Sequence, residues 1–286
     1  MKRAAALLAA SAFLLTACGG TSQSNSAAAE NAAAPAAAAK LSLTRLDCGS
    51  ADFADMNGFF SDRPGVYPPG PGKATDSCYL IQHGDQQMVW DTGFPAKLKG
   101  SSMSRDGMTA QLTVTLAEQL AQVGLKPADI DIVGISHMHG DHTGQAAEFP
   151  QARLVIGKGD FEQTVGKEDP FGPWRGDNKP VTATASDLDI FGDGSVVALH
   201  LPGHTPDHLA LLVNLASGPV LLSGDLYHST ISRQKRSMPG FNTDKSQTLA
   251  SMDKFEALAK EKGAKVIIQH EPEDIAKLPA FPKAAE

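Results

Sequence analysis

The chain has 286 residues, 42% hydrophobic and 20% charged, which suits one or two globular domains with a sizeable core. Its formal charge of −7 at pH 7 gives no electrostatic footprint for nucleic acid. It also disfavours polyanionic substrates unless bound cations reverse the sign inside a pocket.

The amino terminus does not read as core. Met1-Lys2-Arg3 is a basic start, Ala4 to Leu15 is an apolar run too short to span a membrane, and Leu15-Thr16-Ala17 sets small residues before Cys18. The stretch resembles a bacterial lipobox, which implies a signal peptide over residues 1–17 and lipid on Cys18. Loss of Lys2 and Arg3 takes the formal charge from −7 to −9. Residues 18–40 are rich in Ala, Ser and Asn and read as a flexible tether, since they offer too little apolar surface to offset ordering. Gly19 after the cysteine resembles lipoproteins sorted to the outer membrane. The expected layout is a periplasm-facing envelope protein that touches membrane only through its lipid, with a catalytic domain over 41–286. In that oxidising setting Cys48 and Cys78 form either a disulfide or two separate buried thiols; spacing alone does not decide.

Leu41 to Leu46 alternates as a half-buried strand. Ser50 to Thr75 reads as a long Pro- and Gly-rich loop whose aromatics, Phe53, Phe59, Phe60 and Tyr67, suit a pocket wall or simple core packing. Ser77 to His83 and Gln87 to Trp90 read as a hairpin turning at Gly84-Asp85. The second strand delivers Asp91-Thr92-Gly93. An aspartic protease would need a paired site and an all-β pattern, so Asp91 is better placed as a carboxylate that orients a metal-bound imidazole. Leu112, Leu116, Leu120 and Val123 mark an amphipathic helix stopped by Gly124. Arg153 to Ile156 reads as a strand, Lys158 to Thr164 as a short helix, and Lys167 to Lys179 as an insertion carrying Phe171 and Trp174. Leu249, Met252, Phe255 and Leu258 mark a second helix face ended by Gly263.

The densest chemistry is His137-Met138-His139-Gly140-Asp141-His142, just past the apolar run Ile130 to Ser136. Three imidazoles and a carboxylate in six positions make poor core, and the site lies where open α/β sheets place ligands, at a strand's carboxyl end. On extended backbone His137 and His139 project to one side and can share an ion; past Gly140, Asp141 and His142 approach a second position. Other strands end alike: Val196 to Leu201 leads to Pro202-Gly203-His204, Val220 to Leu222 to Ser223-Gly224-Asp225, and Val266 to Ile268 to Gln269-His270. Convergence of four strand ends on one site is the economical account. His83, His200 and His208 read as structural.

The series from Asp91-Thr92-Gly93 through HxHxDH, Pro202-Gly203-His204 and Gly224-Asp225 to His270 resembles the metallo-β-lactamase fold superfamily. The resemblance implies an α/β fold of the αββα sandwich type and two divalent metal ions, zinc first. His137, His139 and His204 would hold one ion and Asp141, His142 and His270 the other, with Asp225 bridging. Within the superfamily, Asp76 to Ile81, Gly224 to His228 and Ile268 to His270 are most similar to N-acyl homoserine lactonases. That similarity implies quorum-quenching hydrolysis of a small lactone or ester, in which a metal-bridging hydroxide attacks the carbonyl and Asp141 hands a proton to the leaving alkoxide. The tyrosine that assists in lactonases lies three residues after the bridging aspartate, whereas here Tyr227 is two after Asp225 and His228 three, so either could donate to the oxyanion. Phe59, Phe60, Tyr67, Phe171, Trp174, Met238 and Phe241 are candidates for an acyl-chain groove. Rival readings are a phosphotriesterase of the methyl parathion hydrolase kind, a glyoxalase II-like thioesterase and a non-catalytic, lipid-anchored zinc-binding protein.

Overall fold

Period-two alternation along the strands decides which layer each side chain joins. In the computed structural model, which describes residues 40–286 apart from 167 and 178, thirteen strands form two sheets. The expected signal peptide, Cys18 and the tether as far as residue 39 lie outside the described residues. Among those that are described, no helix is long and apolar enough to cross a membrane.

The first sheet is built from β1 (Leu41–Phe53), β2 (Gly72–His83), β3 (Gln86–Trp90), β4 (Ser102–Arg105), β5 (Met108–Gln111), β6 (Ile132–Gly134), β7 (Arg153–Gly157) and β8 (Val181–Thr184), in the order β4-β5-β1-β2-β3-β6-β7-β8. The second contains β9 (Leu188–Asp189), β10 (Val196–His200), β11 (Leu209–Leu215), β12 (Gly218–Leu222) and β13 (Lys265–Ile267), in the order β13-β12-β11-β10-β9. Tyr79, Ile81, Met88 and Trp90 of the first meet Leu209, Leu211, Val213, Val220 and Leu222 of the second in a core between the sheets. The intervening Cys78, Leu80 and Val89 face outward, as do Ala210, Leu212 and Leu221.

Helices cover both outer faces. In chain order they are α1 (Met56–Phe60), α2 (Leu116–Gln122), α3 (Gly140–Thr143), α4 (Lys158–Gln163), α5 (Thr230–Lys235), α6 (Lys245–Lys262) and α7 (Pro272–Ile275). α2 starts in a capping box between Thr115 and Glu118 and buries Leu116 and Leu120 under the first sheet. α6 starts at Asp244, whose side chain accepts from Ser246 N and Gln247 N, and packs Met252, Phe255 and Ala259 on the second sheet. The result is the αββα sandwich.

Several sequence expectations change. β1 runs on to Phe53 and β2 starts at Gly72, so the long connection spans only residues 54–71 and holds α1. Leu112 precedes α2 instead of joining it, and Leu249 is exposed, outside the buried face of α6. Cys48 and Cys78 form a disulfide, with Cα atoms 5.7 Å apart. A register shift between Asp47 and Gly49 puts Cys48 in a bulge beside Cys78.

Leu211 sits fully buried between the sheets. Leu211→Ala should cost about 2–5 kcal/mol through lost burial and a residual cavity. Urea unfolding should show the midpoint fall with an unchanged slope.

Candidate metal centre

Five strand ends meet at one edge of the sandwich. β3 runs into Asp91, β6 into Ser136 and His137, β10 into His204, β12 into Asp225 and β13 into His270. Past β6 the chain turns into α3, which carries Asp141 and His142. Donor atoms of His137, His139, His204 and Asp225 all lie within 4.8 Å of one another, and those of Asp141, His142 and His270 form a second such group. Asp225 stands between the groups. Its Oδ2 is 3.5 Å from His137 Nε2 and 3.4 Å from His204 Nε2, and its Oδ1 is 3.2 Å from His142 Nε2 and 2.9 Å from His270 Nε2.

The outward ring nitrogens tell where the protons are. His270 Nδ1 lies 2.7 Å from Thr75 O, which can only accept, so Nδ1 carries the hydrogen. His142 Nδ1 faces Asp91 Oδ2 at 3.0 Å, and His204 Nδ1 faces Asn242 Oδ1 at 2.9 Å. Their Nε2 lone pairs therefore point inward, and those of His142 and His270 face each other at 3.3 Å. In the neutral rings those lone pairs would repel, and the buried Asp225 Oδ1 has no hydrogen-bond partner of good geometry. A divalent cation resolves both conditions, and an imidazole and carboxylate set suits zinc. The residues present fit two such ions.

Asp91 adopts φ 57°, a strained left-handed conformation for a non-glycine residue. In it the carboxylate accepts from Ser136 N at 2.6 Å, from Gln269 Nε2 at 2.7 Å and from His142. His208 donates from Nδ1 to Leu201 O, and its Nε2 accepts the Asp225 backbone N–H at 3.0 Å, a structural role that places Asp225. His83 and His200 pair with Asp193 and Asp207 away from the cleft.

The site opens into a cleft of about 470 Å³ whose floor includes His139, Asp141, Asp225, His228 and His270. Phe59, Phe60 and Phe241 line it, as the sequence suggested. Tyr67 does not: it is buried, with its hydroxyl on Ser229 Oγ. Phe171 and Trp174 lie in the core beneath the first sheet, where Trp174 Nε1 donates to Ala152 O at 2.8 Å, and Met238 packs with Tyr227 under the second. Tyr227 also leaves the cleft, because its hydroxyl donates to Glu256 Oε1 at 3.0 Å. His228 stays, with Nε2 3.0 Å from Asp225 Oδ2. Phe53, one of the loop aromatics the sequence offered as a pocket wall, lines it too, and the cleft gains Phe94, Met103 and Met108, which sequence reasoning did not single out. The last two sit on the β4–β5 hairpin, turned by Asp106 at φ 50° and Gly107 at φ 81°, an Asp-Gly signal that could have revealed it.

Burial lowers His137 well below the usual imidazole range and His139 to about 4, so both are neutral near pH 7. Burial also works against a charge on His142 and His270, but the Asp225 carboxylate overrides it, lifting His142 well above its ordinary value and His270 to about 9. Without a cation, protons occupy the second donor group. Zinc uptake should therefore release protons, and apparent affinity should rise with pH from 7 to 9 as the free His270 begins to give up its proton. Calorimetry in buffers of different ionisation enthalpy reads this directly; uptake with no released proton would contradict it.

Residues 75–270 match the Metallo-beta-lactamase superfamily. The chain is 34% identical over 178 residues to the N-acyl homoserine lactonase AttM of Azorhizobium caulinodans, covering 58% of this chain and 66% of that relative, somewhat under two thirds. It is 29% identical over 227 residues to AttM of Rhizobium johnstonii, covering 73% and 85%. Among solved structures, a quorum-quenching N-acyl homoserine lactone hydrolase superposes with a TM-score of 0.73 at 20% identity, over 87% of this chain and 99% of the other. AidC, a dizinc quorum-quenching lactonase, superposes at 0.62 and 18% identity, over 87% and 90%. With this match, the two-sheet architecture and the convergence of His and Asp at its strand ends, the chain belongs to the metallo-β-lactamase superfamily.

Proposed function

We propose that the protein opens the ring of N-acyl homoserine lactones with two divalent ions, zinc first. His137, His139 and His204 would hold one and Asp141, His142 and His270 the other, with Asp225 placed to be shared between them. The observation that carries this is a shared carboxylate between two donor groups on the floor of an apolar-walled cleft, and the names of the relatives support the substrate class. Such ions supply a water molecule deprotonated near neutral pH and a positive field for a developing oxyanion.

The chain's own residues do the rest. Phe59, Phe60, Phe94 and Met108 form a wall that takes an acyl chain and keeps water from the lactone. Burial lowers His228 to about 4, so it is neutral, and the nitrogen facing Asp225 bears its ring proton. With Asp225 taken up by the ions, that N–H would be released to the cleft that His228 lines, where it could donate to the carbonyl oxygen as charge develops there. Burial favours a neutral Asp141, but His142 and His270 override it and keep the group ionised. Asp141 can therefore take the proton still carried by the attacking oxygen after addition and pass it to the ring oxygen as the ester C–O bond breaks. One water is consumed, and the hydroxy acid formed releases a proton near pH 7.

That proton is the assay. Zinc-loaded protein should acidify N-acyl homoserine lactone solutions with a chain-length preference, and turnover of phosphotriesters or thioesters with none of lactones would move the assignment to the rival substrates. His228→Ala should lower kcat about 10²–10³-fold with zinc content unchanged, whereas Tyr227→Phe should stay within about twofold. The reverse ranking would return the oxyanion role to Tyr227. For location, the lipobox-like segment supports an envelope lipoprotein anchored at Cys18. Cys18→Ala should shift the protein from the membrane fraction to the soluble fraction, and unchanged partition would refute the anchor.

A further inference from the structure

The outward-facing acceptors of the converging imidazoles differ in charge. His142 has the Asp91 carboxylate, His270 a backbone carbonyl, and His204 the neutral side chain of Asn242, outside every motif of the sequence.

Hydrogen positions around Asn242 are forced by its neighbours. Thr248 Oγ1 donates its hydrogen to Asp244 O at 2.8 Å, leaving only lone pairs for Asn242, 3.1 Å away. The group of Asn242 that faces Thr248 is therefore its NH2, which turns Oδ1 toward His204. His204 Nδ1 must then be the protonated nitrogen, and Nε2 is left bare toward His139 Nδ1, 3.1 Å away. The segment is firmly seated. Thr243 N donates to His204 O at 3.2 Å and Asp244 N to Gly203 O at 2.9 Å, while Asp244 caps α6. Gly203, at φ +130°, passes so close to α6 that a Cβ there would lie 2.3 Å from Thr248 N.

We propose that Asn242 is a positioning residue that locks His204 in its Nδ1–H form, and that its neutral amide makes the His137, His139 and His204 position the weaker of the two for a divalent cation. An anionic acceptor behind an imidazole raises the basicity of the inward nitrogen; an amide does so less. Charge in the cleft points the same way. The second position has Asp141 of its own and Asp91 behind it, while the first has only a share of Asp225, with the Ser136 hydroxyl behind His137.

This deepens the metal reading above and rests on it, so the test reads metal binding and not turnover. Full-length protein stripped of metal is titrated with zinc against a chromophoric chelator. Wild type should take up two equivalents in separate steps. Asn242→Leu should weaken one step about 10–100-fold and leave the other in place. Asn242→Asp should tighten the same step and bring the two together. The proposal is overturned if Asn242→Leu changes neither step or weakens both alike, or if Asn242→Asp weakens the step instead of tightening it. Wild type that takes up no zinc would remove the metal reading itself, a distinct outcome. If melting of the zinc-free proteins shows that Asn242→Leu does not fold, the direction of the Asn242→Asp shift decides.

Discussion

Everything in the cleft depends on where each imidazole keeps its single proton. A neutral histidine offers a lone pair on one nitrogen only, so an inward ligand atom requires an outward acceptor. Thr75 O, Asp91 and Asn242 meet that requirement for His270, His142 and His204. Asp91 does so at the cost of a left-handed backbone, and Gln269 and Ser136 bind the same carboxylate, so one side chain ties together the ends of β3, β6 and β13.

The sandwich supplies those ends. Side chains such as Trp90, Leu211 and Leu222 join the two sheets through their inner faces. With the sheets locked in that way, the loops beyond the strands are carried into one cleft. Glycine matters where backbones cross closely: a Cβ on Gly144 would lie 2.3 Å from Pro95 N, and one on Gly93 2.4 Å from Cys48 Cβ.

The donor residues were legible in the sequence because their chemistry is local. His137 to His142 sit in six positions, and His204, Asp225 and His270 each end an apolar run. What packing decides was not legible. Phe171 and Trp174 belong to the same loop class as Phe59 and Phe60, yet the first pair fills the core and the second faces the cleft. The choice between Tyr227 and His228 turns on one residue of phase after Gly224–Leu226, and Glu256, far along the chain, captures the Tyr227 hydroxyl. The Cys48–Cys78 bond depends on a bulge that no spacing rule announces. The β4–β5 hairpin escaped because Ser102–Arg105 is exposed throughout and shows no alternation, although its Asp-Gly turn was in plain view. Asn242 carries no motif at all; only the path of Thr248's proton identifies it.

The two donor groups also share a topological property. His137, His139, Asp141 and His142 extend from the first sheet, and His204, Asp225 and His270 from the second, so each group draws on both. An ion in either position would rivet the halves of the sandwich together, and the unfolded chain, with these residues up to 133 positions apart, would have no comparable grip. Binding only the folded form stabilises it by mass action. Persistence of the fold would then follow the supply of free metal, so that scarcity would deplete the protein itself as well as empty its cleft.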